Sequence, residues 1–118
     1  MRIRFMMDGK ELATATLADI AIARDFASLL PLTLDLQDYA STEKIAYLPR
    51  KLSTAGSPAG YDPSVGDIAY YAPWGNLAIF YKDAPYARGL LLLGRVDTSI
   101  ETLRAARQPK VTIQRAAP

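Results

Sequence analysis

Glu43, Tyr47, Arg50, Tyr61, Tyr71 and Trp74 are the side chains of this 118-residue sequence with types and spacing suited to holding a ligand. Glu43 and Lys44 open the run Glu43-Lys44-Ile45-Ala46-Tyr47-Leu48. They read either as a polar anchor at a pocket mouth or as a solvated strand end whose charges discourage edge pairing. Arg50 follows Pro49; its guanidinium fork suits a carboxylate or a polarised amide, and the alternative is a plain surface arginine. Aromatics are enriched in sheets, so Tyr47, Tyr61, Tyr81 and Tyr86 also read as strand-packing residues, and Phe80 is expected in the core. Tyr70 and Tyr71 are adjacent on a strand and point to opposite faces, so only one can face a cleft. Trp74 lies in Pro73-Trp74-Gly75, where a hairpin alone would not bury it; an aromatic at a loop tip is a ready contact for a ligand. Arg95 is expected to pair with Asp67 or Asp97. Asp62 and Asp67 have no third acid at ligand spacing, so no metal is expected, and no cofactor.

Absences narrow the chemistry further. The chain has no cysteine, which excludes disulfides, thiolate nucleophiles, iron–sulfur clusters and cysteine zinc sites. It has no histidine, which removes the commonest general base and transition-metal ligand. Ser-His-Asp, Cys-His and HExxH chemistry therefore cannot occur within it. The formal charge is +2, and Pro49-Arg50-Lys51 is the densest basic cluster, so the basic stripe of a nucleic-acid surface is missing. No apolar run approaches the roughly 20 residues that span a bilayer, and Met1–Phe5 alternates charge with apolar residues unlike a signal peptide. A cytoplasmic protein without a membrane or nucleic-acid partner is the expectation.

The elements that must position these residues are short strands. Residues 60–96 organise the chain: 67–72 and 76–81 are aromatic and β-branched runs around Pro73-Trp74-Gly75, which predicts a hairpin with about three loop residues. A third run, 89–96, follows, and Ile68, Leu77, Ile79, Leu91 and Leu93 on these central strands are expected among the most buried residues. Apolar residues on both faces of these strands imply a sheet that is covered, closed, or both. Earlier in the chain, Arg2–Met7 and Glu11–Leu17 flank Asp8-Gly9, a strong hairpin turn. Asp19 is placed to cap a helix over 20–30, with Ile22, Ala23, Phe26, Ala27, Leu29 and Leu30 as its apolar stripe and Pro31 as its stop. Residues 32–36 alternate strictly and read as a half-buried strand, with a break at 38–42. Residues 50–64 read as a loop rich in Gly, Pro, Ser and Thr. Thr98 or Ser99 could cap a second helix to Arg107, and 111–115 closes as a last strand. The length suits one domain, 1–118, a closed mainly β barrel with helical caps.

The succession of strand, Asp-Gly, strand, then Leu29-Leu30-Pro31, Glu43-Lys44…Tyr47-Leu48-Pro49, Gly66-Asp67-Ile68, Ala78-Ile79-Phe80-Tyr81 and Leu93-Gly94-Arg95-Val96 resembles the bacterial cyclophilin-like fold family over nearly the whole chain. The resemblance implies an eight-stranded antiparallel barrel capped by two short helices. True cyclophilins are prolyl isomerases with a catalytic arginine beside an apolar pocket that contains phenylalanines and a histidine. That set has no counterpart here: the segment 43–48 carries no arginine, and the chain has no histidine.

The expected function is a binding module for a small molecule or short peptide, without catalytic residues or isomerase activity. Residues 50–64, the Pro73–Gly75 turn and the 43–47 strand would line its groove. A weak peptidyl-prolyl cis–trans isomerase using Arg50 is the alternative, because isomerisation needs neither a nucleophile nor proton transfer. A structural or oligomerising domain that uses the same aromatics as an interface is the third.

Overall fold

A computed structural model of the chain describes residues 1–98 and 100–116. Its strands are β1 (Arg2–Met7), β2 (Lys10–Leu17), β3 (Leu32–Asp35), β4 (Gln37–Tyr39), β5 (Glu43–Tyr47), β6 (Gly60–Tyr61), β7 (Asp67–Tyr71), β8 (Asn76–Phe80), β9 (Ala87–Arg88), β10 (Leu90–Val96) and β11 (Lys110–Arg115). Two short helices, α1 (Ala21–Ala27) and α2 (Ile100–Ala105), complete it. The main sheet runs β3-β11-β1-β2-β10-β7-β8-β5-β4, and every pairing in it is antiparallel.

The main sheet has nine strands where eight were expected in the barrel, and the difference is a single kink. The two edge strands, β3 and β4, are consecutive in sequence and separated only by Leu36. Leu36 is fully buried and its N–H donates to the carbonyl of Pro109, 3.0 Å away. One bent run thus pairs with β11 at its start and with β5 at its end, which nearly closes the sheet into a barrel. Near-closure leaves little unpaired edge to template aggregation.

Alternation decides what fills the barrel. Ile3 and Phe5 of β1, Ala13, Ala15 and Leu17 of β2, and Val111 and Ile113 of β11 point inward. They meet Ile68, Leu77, Ile79, Leu91 and Leu93, each at most 3% exposed. Ile22, Ala23, Phe26 and Ala27 of α1 pack on the same core. Asp8 and Gly9 both adopt positive φ (51° and 77°), the two-residue turn that Asp-Gly favours.

Local details depart from the sequence reading. The helix spans Ala21–Ala27, its N-cap is Ile20 with no side-chain cap, and Asp19 instead binds Arg24 Nη1 at 2.7 Å. An exposed arginine one turn along competes successfully for that carboxylate. The β7–β8 loop holds four residues, Ala72 to Gly75, because Tyr71 pairs with Asn76 and the Gly75 N–H bonds the Tyr71 carbonyl. The second helix ends at Ala105, and Ser99, one of its two expected caps, lies outside the described residues. Arg95 pairs with Asp67 at 3.4 Å, as expected. No helix among the described residues is long and apolar enough to cross a membrane.

Candidate functional site: an aromatic cleft on the outer face of the barrel

The strands β7 and β8 are buried on both faces, and the second face explains the site. Residues of opposite parity to the barrel core, Ile45, Ala69, Ala78, Phe80 and Leu90, form a separate apolar cluster outside it. A small ribbon covers them: β6 pairs with β9, bringing Tyr61 and Ala87 against the sheet. Gly60 permits this approach, since a Cβ there would collide with the carbonyl of Ala87. The ribbon covers only part of the face. Between it and the β7–β8 hairpin a cleft of ≈ 280 Å³ remains open.

Register puts the floor of the cleft together. Glu43 lies opposite Phe80, Asn76 opposite Tyr71, and Tyr71 opposite Leu90. All five line the cleft. Tyr39, opposite Glu43 on the edge strand, and Trp74 from the hairpin loop add one wall. Pro63, Pro85 and Tyr86 add the other. Trp74 stands at right angles to both neighbouring rings: its centroid is 5.5 Å from Tyr39 (82° between planes) and 5.4 Å from Tyr71 (81°). Edge-to-face pairs of this kind hold rings in place by their quadrupoles. Trp74 is nevertheless 48% exposed and Tyr86 58%.

Besides the tyrosine hydroxyls and the indole N–H, Asn76 and Glu43 interrupt this apolar surface. Asn76 is 1% exposed; its Nδ2 donates to the Leu77 carbonyl at 3.1 Å, which orients the amide and leaves Oδ1 buried with no hydrogen-bond partner among the described residues. An orphaned buried acceptor is uncommon, because it forgoes water without compensation. Glu43 is partly buried, and desolvation raises its pKa above the ordinary carboxylate value.

Of the six residues singled out from sequence, Glu43, Tyr71 and Trp74 come together in the cleft, and Tyr47, Arg50 and Tyr61 do not line it. Tyr47 is 62% exposed. Tyr61 is part of the ribbon, packed against the outer apolar cluster, and donates to Asp67 Oδ2 at 3.3 Å; burial, then the Asp67 charge, raises its pKa. Arg50 is held by α1: Nη2 and Nη1 reach the two Asp25 oxygens at 2.8 and 3.1 Å, and Nη2 also donates to Ser28. Asp25 accepts the Ser53 N–H too, and these bonds, the arginine's first, hold its pKa down to about 2. The segment after Pro49 is therefore fastened to the helix, and Leu52 is buried beneath it with its N–H on the Tyr70 hydroxyl.

Lys44 is the other departure. Strand alternation turns it away from Glu43, into the barrel end, where it is 1% exposed. Its Nζ donates to the Ala106 carbonyl at 2.6 Å and pairs with Asp38 at 3.0 Å. Asp38 also accepts the Tyr81 hydroxyl at 2.9 Å. Desolvation of Asp38 is outweighed by the bonds from Lys44 and Tyr81, which lower its pKa, while burial and Asp38 push Tyr81 up to about 12. This network joins β4, β5 and the chain after α2. Sequence reasoning missed Asn76 and Tyr39; the one available signal was an asparagine beginning a run of apolar residues predicted to be buried.

Among the described residues, no group of three or more metal-ligating side chains converges. No curated protein gives a significant match to the chain. The solution structure of a hypothetical protein from Archaeoglobus fulgidus is similar in fold, with a TM-score of 0.67 at 19% identity, covering 98% of this chain and 95% of that one. The family model described as the cyclophilin-like family matches residues 6–114. With that match spanning nearly every element of the barrel, the chain belongs to the cyclophilin-like family.

Proposed function

We propose that this protein is a binding module that takes a small molecule or the side chain of a short peptide into the outer cleft, without isomerase activity. The observation that carries the reading is Asn76: an oriented, buried amide whose acceptor has no partner among the described residues, on the floor of an aromatic-walled cleft. Native folds seldom keep such a group without a use, because an unsatisfied acceptor costs roughly 1–3 kcal/mol. The cleft has the usual make-up of a ligand site, mostly apolar with a few convergent polar groups. Its ring walls are braced against one another, which lowers the ordering cost of binding.

Isomerase chemistry finds less support. The guanidinium offered for it, that of Arg50, is occupied by Asp25 and does not line the cleft, so it is not preorganised toward a bound amide. The test is a thermal-shift screen of metabolites and proline peptides, followed by NMR mapping of any hit. Resonance shifts centred on Trp74, Tyr71 and Asn76 are expected. Hits that map instead to the surface of α1, or self-association through Trp74 and Tyr86, would reject the reading in favour of another site or an interface.

A further inference from the structure

The chemical class of the ligand can be taken further, on the reading that the outer cleft is the binding site. We propose that the cleft selects an organic cation: an ammonium group carried on a flat or compact apolar body. Three independent features of the lining favour positive charge. Among the described residues neither lysine nor arginine lines the cleft, so no fixed cation there awaits an anionic ligand. Its single ionisable acid, Glu43, has neither a salt bridge nor a side-chain hydrogen bond to the described residues, although it is partly withdrawn from water. The adjacent lysine cannot serve it, because Lys44 lies on the other side of the strand and is committed to Asp38 and Ala106. A desolvated carboxylate without a counterion is a strong attractor for one.

The rings supply the second feature. Tyr39 and Tyr71 each meet Trp74 at about a right angle, so the three form the corner of a box rather than a flat stack. Such corners attract ammonium groups through the negative faces of their rings, tryptophan most strongly. The third is Asn76. Nδ2 gives one of its two N–H groups to Leu77, and Oδ1 has no partner among the described residues, so an N–H donor on the ligand would satisfy that acceptor. A carboxylate, an unfilled carbonyl and an aromatic corner on one cleft share one complementary partner. A neutral aromatic could use the rings but would leave Glu43 uncompensated.

The experiment titrates the whole protein, by NMR and calorimetry, with benzylammonium, benzyltrimethylammonium, benzyl alcohol and benzoate. These probes share a ring and differ in charge. The expected result is saturable binding of at least one of the two cations, with shifts at the Trp74 indole and the Asn76 side-chain amide. Benzyl alcohol should bind at least 10-fold more weakly and benzoate not at all. Glu43→Gln, checked for a native amide spectrum, should weaken the cation at least 10-fold and leave benzyl alcohol unchanged. Benzyl alcohol or benzoate binding the cleft as tightly as the cations would overturn the charge selection while keeping the site. Shifts at neither Trp74 nor Asn76 with any probe would overturn both. The comparison of charged and neutral probes on the wild type stands even if the Glu43 variant misfolds, and an affinity for the cations unaltered by Glu43→Gln would also refute the inference.

Discussion

Replacing Asn76 by leucine should leave the protein at least as stable as before while abolishing ligand capture. Leucine keeps the branch at Cγ but removes both polar atoms from a side chain that is 1% exposed. Removing the orphaned Oδ1 relieves a desolvation penalty of roughly 1–3 kcal/mol. Losing the Nδ2 bond to the Leu77 carbonyl costs about 1 kcal/mol. The extra volume of leucine can extend into the cleft, which is open, so overpacking contributes little. The net is between no change and a gain of about 2 kcal/mol. For a domain of this size, a gain of 1 kcal/mol raises Tm by about 4 °C. Urea denaturation gives the free energy, and the same sample titrated with benzylammonium gives the affinity. A loss of stability beyond about 2 kcal/mol would mean that Oδ1 is satisfied in solution, and the central support for the cleft as a ligand site would go with it.

Other perturbations test other parts of the molecule. Ile79→Ala, at a fully buried position in the barrel core, should cost about 2–5 kcal/mol in a denaturation experiment, and an unchanged midpoint would remove Ile79 from the core. Because the Asp25 pKa is lowered from 3.8 to about 2, its bonds to Arg50 and Ser53 add stability above pH 4 that fades as pH falls from 4 to 2. In Asp25→Asn that acid-dependent increment should be missing and the Ser53 amide should exchange faster with deuterium; wild-type protection at Ser53 would contradict the tether. Glu43 has a raised pKa from desolvation, so its charge opposes folding near neutral pH: Glu43→Gln should raise Tm at pH 7, with the advantage vanishing once pH falls below the carboxyl's range near 4. In a proline-peptide isomerisation assay the wild type should show no appreciable acceleration; robust acceleration lost in Arg50→Ala would restore the isomerase.

The strands, the Asp8-Gly9 turn and the buried set Ile68, Leu77, Ile79, Leu91 and Leu93 were legible because they follow from local alternation and turn chemistry. So was the placement of Tyr70 and Tyr71 on opposite faces: a strand has period 2 wherever it pairs. Local pattern also showed that the 67–96 strands must be covered on both sides, but not by what. The ribbon that covers the outer face joins Gly60 and Tyr61 to Ala87 and Arg88 across more than 20 residues, and two-residue strands carry no periodicity to read. Glu43 and Lys44 looked alike as a charged strand end; alternation sends them to opposite faces, and only the folded chain shows that one face is the cleft and the other holds the carbonyl of Ala106. Arg50 looked free because its partner, Asp25, lies 25 positions earlier on a helix face that sequence marks only as polar. Asn76 became a site residue only when β5 and β7 flanked its strand and left one acceptor without a donor among the described residues. Period and propensity act over a few residues and determine the elements; which polar groups are satisfied depends on contacts distant in sequence, and only the folded chain decides that.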